Sequence, residues 1–325
     1  MKLKKIKRMV AVGTAILMTL SLAGCGIGSD SVKLGAAGVG GGYYAFSNAF
    51  AQIASSEDED LDFEVKATAG STANIRLLSD GYVDMAIAQA DLVDAAYNGT
   101  GATDKKRYRG YSAVASLYTE ACQIVVRADS GIDSLDDLQG KKISVGEEES
   151  GTQRNAEQIL KMTGLVESLV DTVNLDYVDA ANELKSGQID AFFCTAGIQT
   201  SVIEELSKEC DVKLIGIDDK CRDRLKSVYG FYTDYTIPVG TYEGQTQDVV
   251  TLGVRAVLLA RDDMDEKIVE ELTGLLFEHA QDIQYSIALT FQIDESEAVK
   301  NVTIPFHDGA KAYYQKKGIE IPAEQ

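Results

Sequence analysis

Tryptophan is absent from the 325 residues, proline occurs three times and histidine twice. So few prolines leave no Pro-rich linker or stalk between domains. Two isolated histidines, His279 and His307, with no CxxC pair anywhere, exclude a zinc site built on the usual His and Cys spacing. Positive charge is also scarce: 31 Lys and Arg stand against 51 Asp and Glu, a formal net charge of −20. Such a surface excludes nucleic acid as a partner, because phosphate contacts need cations. Long apolar runs are missing too. The stretch MVAVGTAILMTLSLA at 9–23 is short for crossing a membrane.

What is present begins at that stretch. Lys2, Lys4, Lys5, Lys7 and Arg8 form a basic region ahead of it, and Leu22-Ala23-Gly24-Cys25 follows it. This is the layout of a signal peptide over residues 1–24, and Cys25 after small residues resembles a bacterial lipobox. Cys25 is then the lipidated mature N-terminus, and the chain is tethered outside the membrane of a bacterial cell rather than threaded through it. Removing five cations and no acid takes the formal charge from −20 to −25. The other cysteines, Cys122, Cys194, Cys210 and Cys221, read as buried free thiols, although an oxidising exterior also permits a Cys210–Cys221 bridge.

The 300 residues after Cys25 suit two lobes of about 150 residues each. Short apolar runs alternate with amphipathic stretches, the pattern of an α/β fold. Val32–Leu34 reads as a strand and Tyr44–Ser55 as a helix with Phe46, Ala49, Phe50 and Ile53 on one face. A phrase recurs: LLSDGYVDMAI at 77–87 is echoed by ELKSGQIDAFF at 183–193. In both, a helix end is followed by Gly, an Asp and an apolar strand. Two long strand-like runs, YSAVASLYTEACQIVVRAD and VVTLGVRAVLLARDDM, read as crossings between lobes. They divide the chain into one lobe of 31–122 plus 256–325 and another of 123–255. The acidic run Glu57–Asp60 is a solvated loop, because it lacks the spacing and glycine of a calcium loop.

The segment LGAAGVGGGYYAFSNAF places five glycines in eight positions. It lacks the last glycine of the dinucleotide fingerprint and the Gly-Lys-Ser/Thr of a phosphate loop. A strand, a bare loop and a helix start remain, which lets backbone N–H groups approach a small solute. Together with TAGSTANIRLLSDGYVDMAIAQADLVDAAYNG, SLDDLQGKKISVGEEESGTQRNAEQIL and YTIPVGTYEGQTQDV, it resembles the TAXI-type solute receptors of TRAP transporters. The resemblance runs in order over almost the whole mature chain. It implies a type II periplasmic binding protein fold, a small anionic or amino-acid solute such as glutamate held in an interlobe cleft, and membrane permease subunits as partners. This chain has Gly35-Ala36-Ala37-Gly38 where those receptors commonly show Gly-Thr-Gly, so one hydroxyl is missing. The same fold serves ABC transporters and solute sensors, which stay open as alternatives.

Candidate ligand contacts follow from loop ends. Gly41 and Gly42 offer backbone, and Tyr43 resembles the family's cleft-facing aromatic. Ser71 caps its helix or touches ligand, and Asn74 steadies the loop. Gln89 ends a buried strand; Asp91 beside it repels an anion and suits an ammonium group. Ser150, Gly151 and Thr152 open a helix, a second anion seat. Arg154 either recognises a carboxylate or pairs with Glu147–Glu149 or Glu157 on the surface. Thr195, Ala196 and Gly197 end the strand that echoes the one before Gln89, and Tyr235 covers the cleft. No cofactor, metal or turnover is expected of a monomeric receptor. Gly110-Tyr111-Ser112-Ala113-Val114 lacks the closing glycine of a nucleophile elbow.

Overall fold

The computed structural model describes residues 31–101, 105–166, 168–287 and 293–322; the signal segment and Cys25 lie outside the described residues. The first part of the chain runs β1 (Val32–Gly35), α1 (Gly42–Glu57), β2 (Phe63–Lys66), α2 (Ser71–Ser79), β3 (Met85–Gln89) and α3 (Ala90–Asn98). The long strand β4 (Tyr111–Arg127) leads to β5 (Lys142–Ser144), α4 (Gly151–Thr163), β6 (Asp171–Val173), α5 (Tyr177–Ser186) and β7 (Ala191–Ala196). Then come α6 (Ser201–Glu209), β8 (Val212–Leu214), α7 (Asp219–Tyr229) and β9 (Thr233–Ile237). A second long strand, β10 (Val249–Arg261), returns to α8 (Glu266–Glu278), α9 (Ala280–Ser286) and α10 (Asp308–Lys317).

One sheet joins all ten strands in the order β2-β1-β3-β10-β4-β7-β5-β6, with β8 beside β4 and β9 beside β10. At its centre β4 and β10 run antiparallel, from Gly253 opposite Ala121 to Arg261 opposite Tyr111. The apolar runs that read as crossings are these two strands. One buried cluster draws on residues from Leu34 to Tyr118 and from Ala256 to Tyr314. The other two draw only on residues between Ala121 and Val254. Strands β3 and β7 are buried at every position, which is why they are apolar without alternation. Helix α1 buries Phe46, Ala49, Phe50 and Ala54, a spacing that puts one stripe on the sheet.

The repeated phrase has a structural counterpart. Asp84 accepts the Lys33 N–H at 2.9 Å and its own N–H donates to Lys33 O, locking β3 beside β1. Asp190 treats Lys142 in the same way at 2.9 Å, locking β7 beside β5. Cys122, Cys194, Cys210 and Cys221 are all free thiols, so the open choice for Cys210 and Cys221 resolves against a bridge. Among the described residues no helix is long and apolar enough to cross a membrane.

Candidate functional site

The carboxyl ends of β1, β3 and β7 and the starts of α1, α2 and α4 meet around one cavity, with the middle of β4 as its floor. Its volume is about 480 Å³ counted out to the open mouth, of which about 40 Å³ admits the centre of a water molecule. That enclosed part holds a few waters, so the walls are close.

Small residues make that closeness possible. Gly41, the cap of α1, has an extended backbone that any residue adopts. A Cβ there would nonetheless sit 3.1 Å from the Tyr177 ring and 3.2 Å from Gly38 O. Across the cavity, a Cβ on Gly151 would meet Gln89 Cδ at 2.5 Å. Both glycines serve close approach of two walls. Further ties cross the same gap. Thr200 and Ser201 hydroxyls each donate to Gly40 O at 3.1 Å. Glu149 turns its carbonyl to the N–H groups of Thr72 and Ala73 at 3.1 and 3.3 Å, capping α2 from outside because Gly70 has no side chain to do so. Its carboxylate takes a two-pronged bond from Arg76, at 2.7 and 3.2 Å. Glu149 holds a left-handed backbone, φ 65°, to make both contacts.

Donors and acceptors are divided across the cavity. The first N–H groups of α1 and α4 lack intrahelical partners by the geometry of a helix start, and each start adds a partial positive charge. The floor carries acceptors. Glu120, 2% exposed, accepts the Tyr43 hydroxyl at 2.7 Å. Burial pushes the Glu120 carboxyl up to about 8 against the pull of that hydrogen bond, and burial with Glu120 pushes the Tyr43 phenol well up. Gln89 donates from Nε2 to Asn155 Oδ1 at 3.0 Å, while its Oε1 is buried with no partner. Asn155 in turn donates to Tyr232, whose hydroxyl donates to Gln158.

Of the residues singled out in the sequence, Gly41, Gly42, Tyr43, Ser71, Gln89, Ser150, Gly151, Thr152 and Thr195 line this cavity. Their roles differ in detail from expectation. Gly70, not Ser71, is the cap of α2, and Ser71 Oγ accepts the Gln89 N–H at 3.1 Å. Ser150 caps α4 by accepting from Gln153 N at 2.9 Å. Thr152 Oγ1 is already engaged by Tyr177 OH at 2.6 Å and Thr195 N at 3.2 Å. Asn74 does steady the loop, donating to Ala36 O and Ile87 O.

Four expected contacts lie off the lining. Arg154 pairs with Glu157 at 3.6 Å, its neighbour one turn along α4, and lines a separate outer groove with Arg76 and Tyr108. Ala196 is buried in the core beside Ala121, and Gly197 is buried in the turn after it. Tyr235 pairs with Thr251 in the β9–β10 ladder and packs on the same core. Asp91 also stands off the lining; burial pushes its carboxyl up to about 6, and its Oδ1 is buried without a partner. Sequence reasoning passed over Glu120, Glu147, Asp176 and Tyr177. The signal for Glu120 was a lone acid inside the run SLYTEACQIVV, where an interior carboxylate needs a reason.

Solved structures share this architecture. PhnD1 from Prochlorococcus marinus (MIT 9301), in complex with methylphosphonate, aligns with a TM-score of 0.56 at 13% identity, over 89% of this chain and 99% of its own. A protein from Bordetella bronchiseptica RB50 aligns with a TM-score of 0.58 at 16% identity, over 89% and 98%. A Listeria monocytogenes protein described as an L-cystine ABC transporter aligns with a TM-score of 0.50 at 14% identity, over 79% and 93%. The fold is that of the type II periplasmic binding proteins. The sequence profile of the NMT1-like family matches residues 34–318, and the chain belongs to that family.

Proposed function

We propose that this protein is an extracytoplasmic solute receptor, not an enzyme. It captures a small anionic or zwitterionic molecule between two lobes, 31–122 plus 256–325 and 123–255, and delivers it to a membrane transporter. The observation that carries this reading is the convergence of three helix starts on one cavity between walls from the two parts of the chain. Helix starts favour anionic groups, and hydrogen bonds such as those from Thr200 and Ser201 to Gly40 O tie the two walls together and must break for the receptor to open. Between transporter classes, the likeness to a protein named for ABC transport supports an ABC-type partner over the TRAP-type partner that the TAXI-like motifs suggest. A lipid on Cys25 holds the receptor at the membrane.

A thermal-shift screen of amino acids, dicarboxylates, keto acids, phosphonates and sulfonates tests the reading. At least one acid is expected to raise the melting temperature in a saturable way, by mass action. Stabilisation by none of them contradicts it. Co-purification from the native membrane separates the transporter classes: an ATPase subunit supports the ABC partner, and a permease without one supports the TRAP partner.

A further inference from the structure

The cavity is lined, among the described residues, by three carboxyl groups, Glu120, Glu147 and Asp176, and by no lysine, arginine or histidine. Among the described residues these acids are not grouped to hold a metal ion. A ligand that is only an anion would therefore sit among acids with no cation beside it. The floor sharpens the point. Glu120 has one oxygen on the Tyr43 hydroxyl, at 2.7 Å. Gln89 Oε1, on a side chain 2% exposed, has no partner among the described residues. The donors nearby are already used: the Gln89 amide on Asn155 and Glu120, Tyr177 OH on Thr195 O, and Gln89 N on Ser71. Gln89 Oε1 is thus a buried acceptor without a donor, which is costly, while Glu120 takes hydrogen bonds from both Tyr43 and Gln89.

We propose that the cavity takes an α-amino acid, with its ammonium group on Glu120 and Gln89 Oε1 and its carboxylate on the first N–H groups of α1. The proposal rests on the solute-receptor reading and narrows it to a zwitterion. Tyr43 sets the spacing between the two seats, because its main chain belongs to the α1 start and its hydroxyl reaches Glu120. An ammonium group brings three donors to a floor where Gln89 Oε1 lacks one and where Glu120, once ionised, accepts more. The mouth acids Glu147 and Asp176 keep a second net negative charge from being favourable.

Calorimetry on the purified protein tests this with matched pairs: L-alanine with propionate, L-serine with 3-hydroxypropionate, and L-glutamate with glutarate. In at least one pair the amino acid is expected to bind about 10–150-fold tighter than its deaminated partner, the range for hydrogen bonds to a charged group. Glu120→Gln is expected to remove that preference while keeping the fold, as read by its melting curve. A second reading needs no variant. Loading an ammonium group onto Glu120 expels a proton, so amino-acid affinity rises with pH between 6 and 8, and heats differ between buffers by the proton released. The groups facing Glu120 are Tyr43 from α1, Asp91 from α3, Tyr118 and Cys122 on its own strand, Cys194 of β7 and Tyr177 of α5. Asp91→Asn must leave the proton release in place. Equal binding of both members of every pair, or affinity that falls as pH rises, overturns the ammonium seat while leaving a receptor for acids standing. Binding of no amino acid and no acid overturns both readings.

Discussion

The contact between Gly151 and Gln89 makes the most quantitative demand. In Gly151→Ala, the new Cβ would lie 2.5 Å from Gln89 Cδ, 2.6 Å from Nε2 and 2.7 Å from Oε1. The amide must move, and it is 2% exposed, so it shifts into the cavity it lines. Moving it breaks the 3.0 Å bond from Nε2 to Asn155 Oδ1 and strands a buried acceptor. That costs about 1–3 kcal/mol, or roughly 5–150-fold in affinity if the bound form is the closed form. The penalty exists only where the two walls meet. In an opened receptor Ala is simply the better helix former at the start of α4. Affinity for the tightest ligand of the screen, measured by calorimetry, is therefore expected to fall while the ligand-free melting temperature holds or rises. Full affinity in Gly151→Ala would refute the reasoning, because the Gln89–Gly151 contact would then not belong to the bound state.

Other expectations follow from single residues. The Glu120 carboxyl rests at about 8 when folded against 4.5 as its ordinary value, so the unfolded chain ionises first and stability is lost as pH rises through that window. Glu120→Gln is thus expected to stabilise the ligand-free protein, by a margin growing about 1.4 kcal/mol per pH unit between roughly 5 and 8; a margin independent of pH in denaturant melts would contradict it. Asn74→Ala removes donors to Ala36 O and Ile87 O and the acceptor of Thr68 Oγ1, all at the ends of strands beneath the cavity. A loss of about 2–4 kcal/mol in denaturant melts is expected, and a loss under 1 kcal/mol would mean water replaces the amide. Cys25→Ser is expected to abolish incorporation of labelled fatty acid and release the chain from membranes; unchanged labelling would remove the lipid anchor.

Much of the architecture was legible because burial writes itself into composition. The strands β4 and β10 were visible as apolar runs, since they are covered on both faces. The echo of 77–87 in 183–193 was legible because Asp84 and Asp190 perform one task, clamping a neighbouring strand. Loop ends such as Gly41, Gly151 and Thr195 were found because small residues at strand ends leave room. What the sequence could not reveal was the direction of a side chain. Arg154 sits three residues from Gly151 yet turns along α4 to Glu157. Tyr235 has the composition of a cleft residue and the position of a core one. Glu120 was hidden for the opposite reason: a strand that reads as pure scaffold carries the one acid at the floor of the site.

A crystal structure of the complex with the tightest amino acid of the screen tests the account most directly. It is expected to place the ligand in this cavity, its carboxylate within hydrogen-bond distance of the Gly42 and Tyr43 N–H groups and its nitrogen on Glu120 and Gln89. A ligand found in the outer groove beside Arg154, or bound in the cavity with its carboxylate on Glu120, would contradict it.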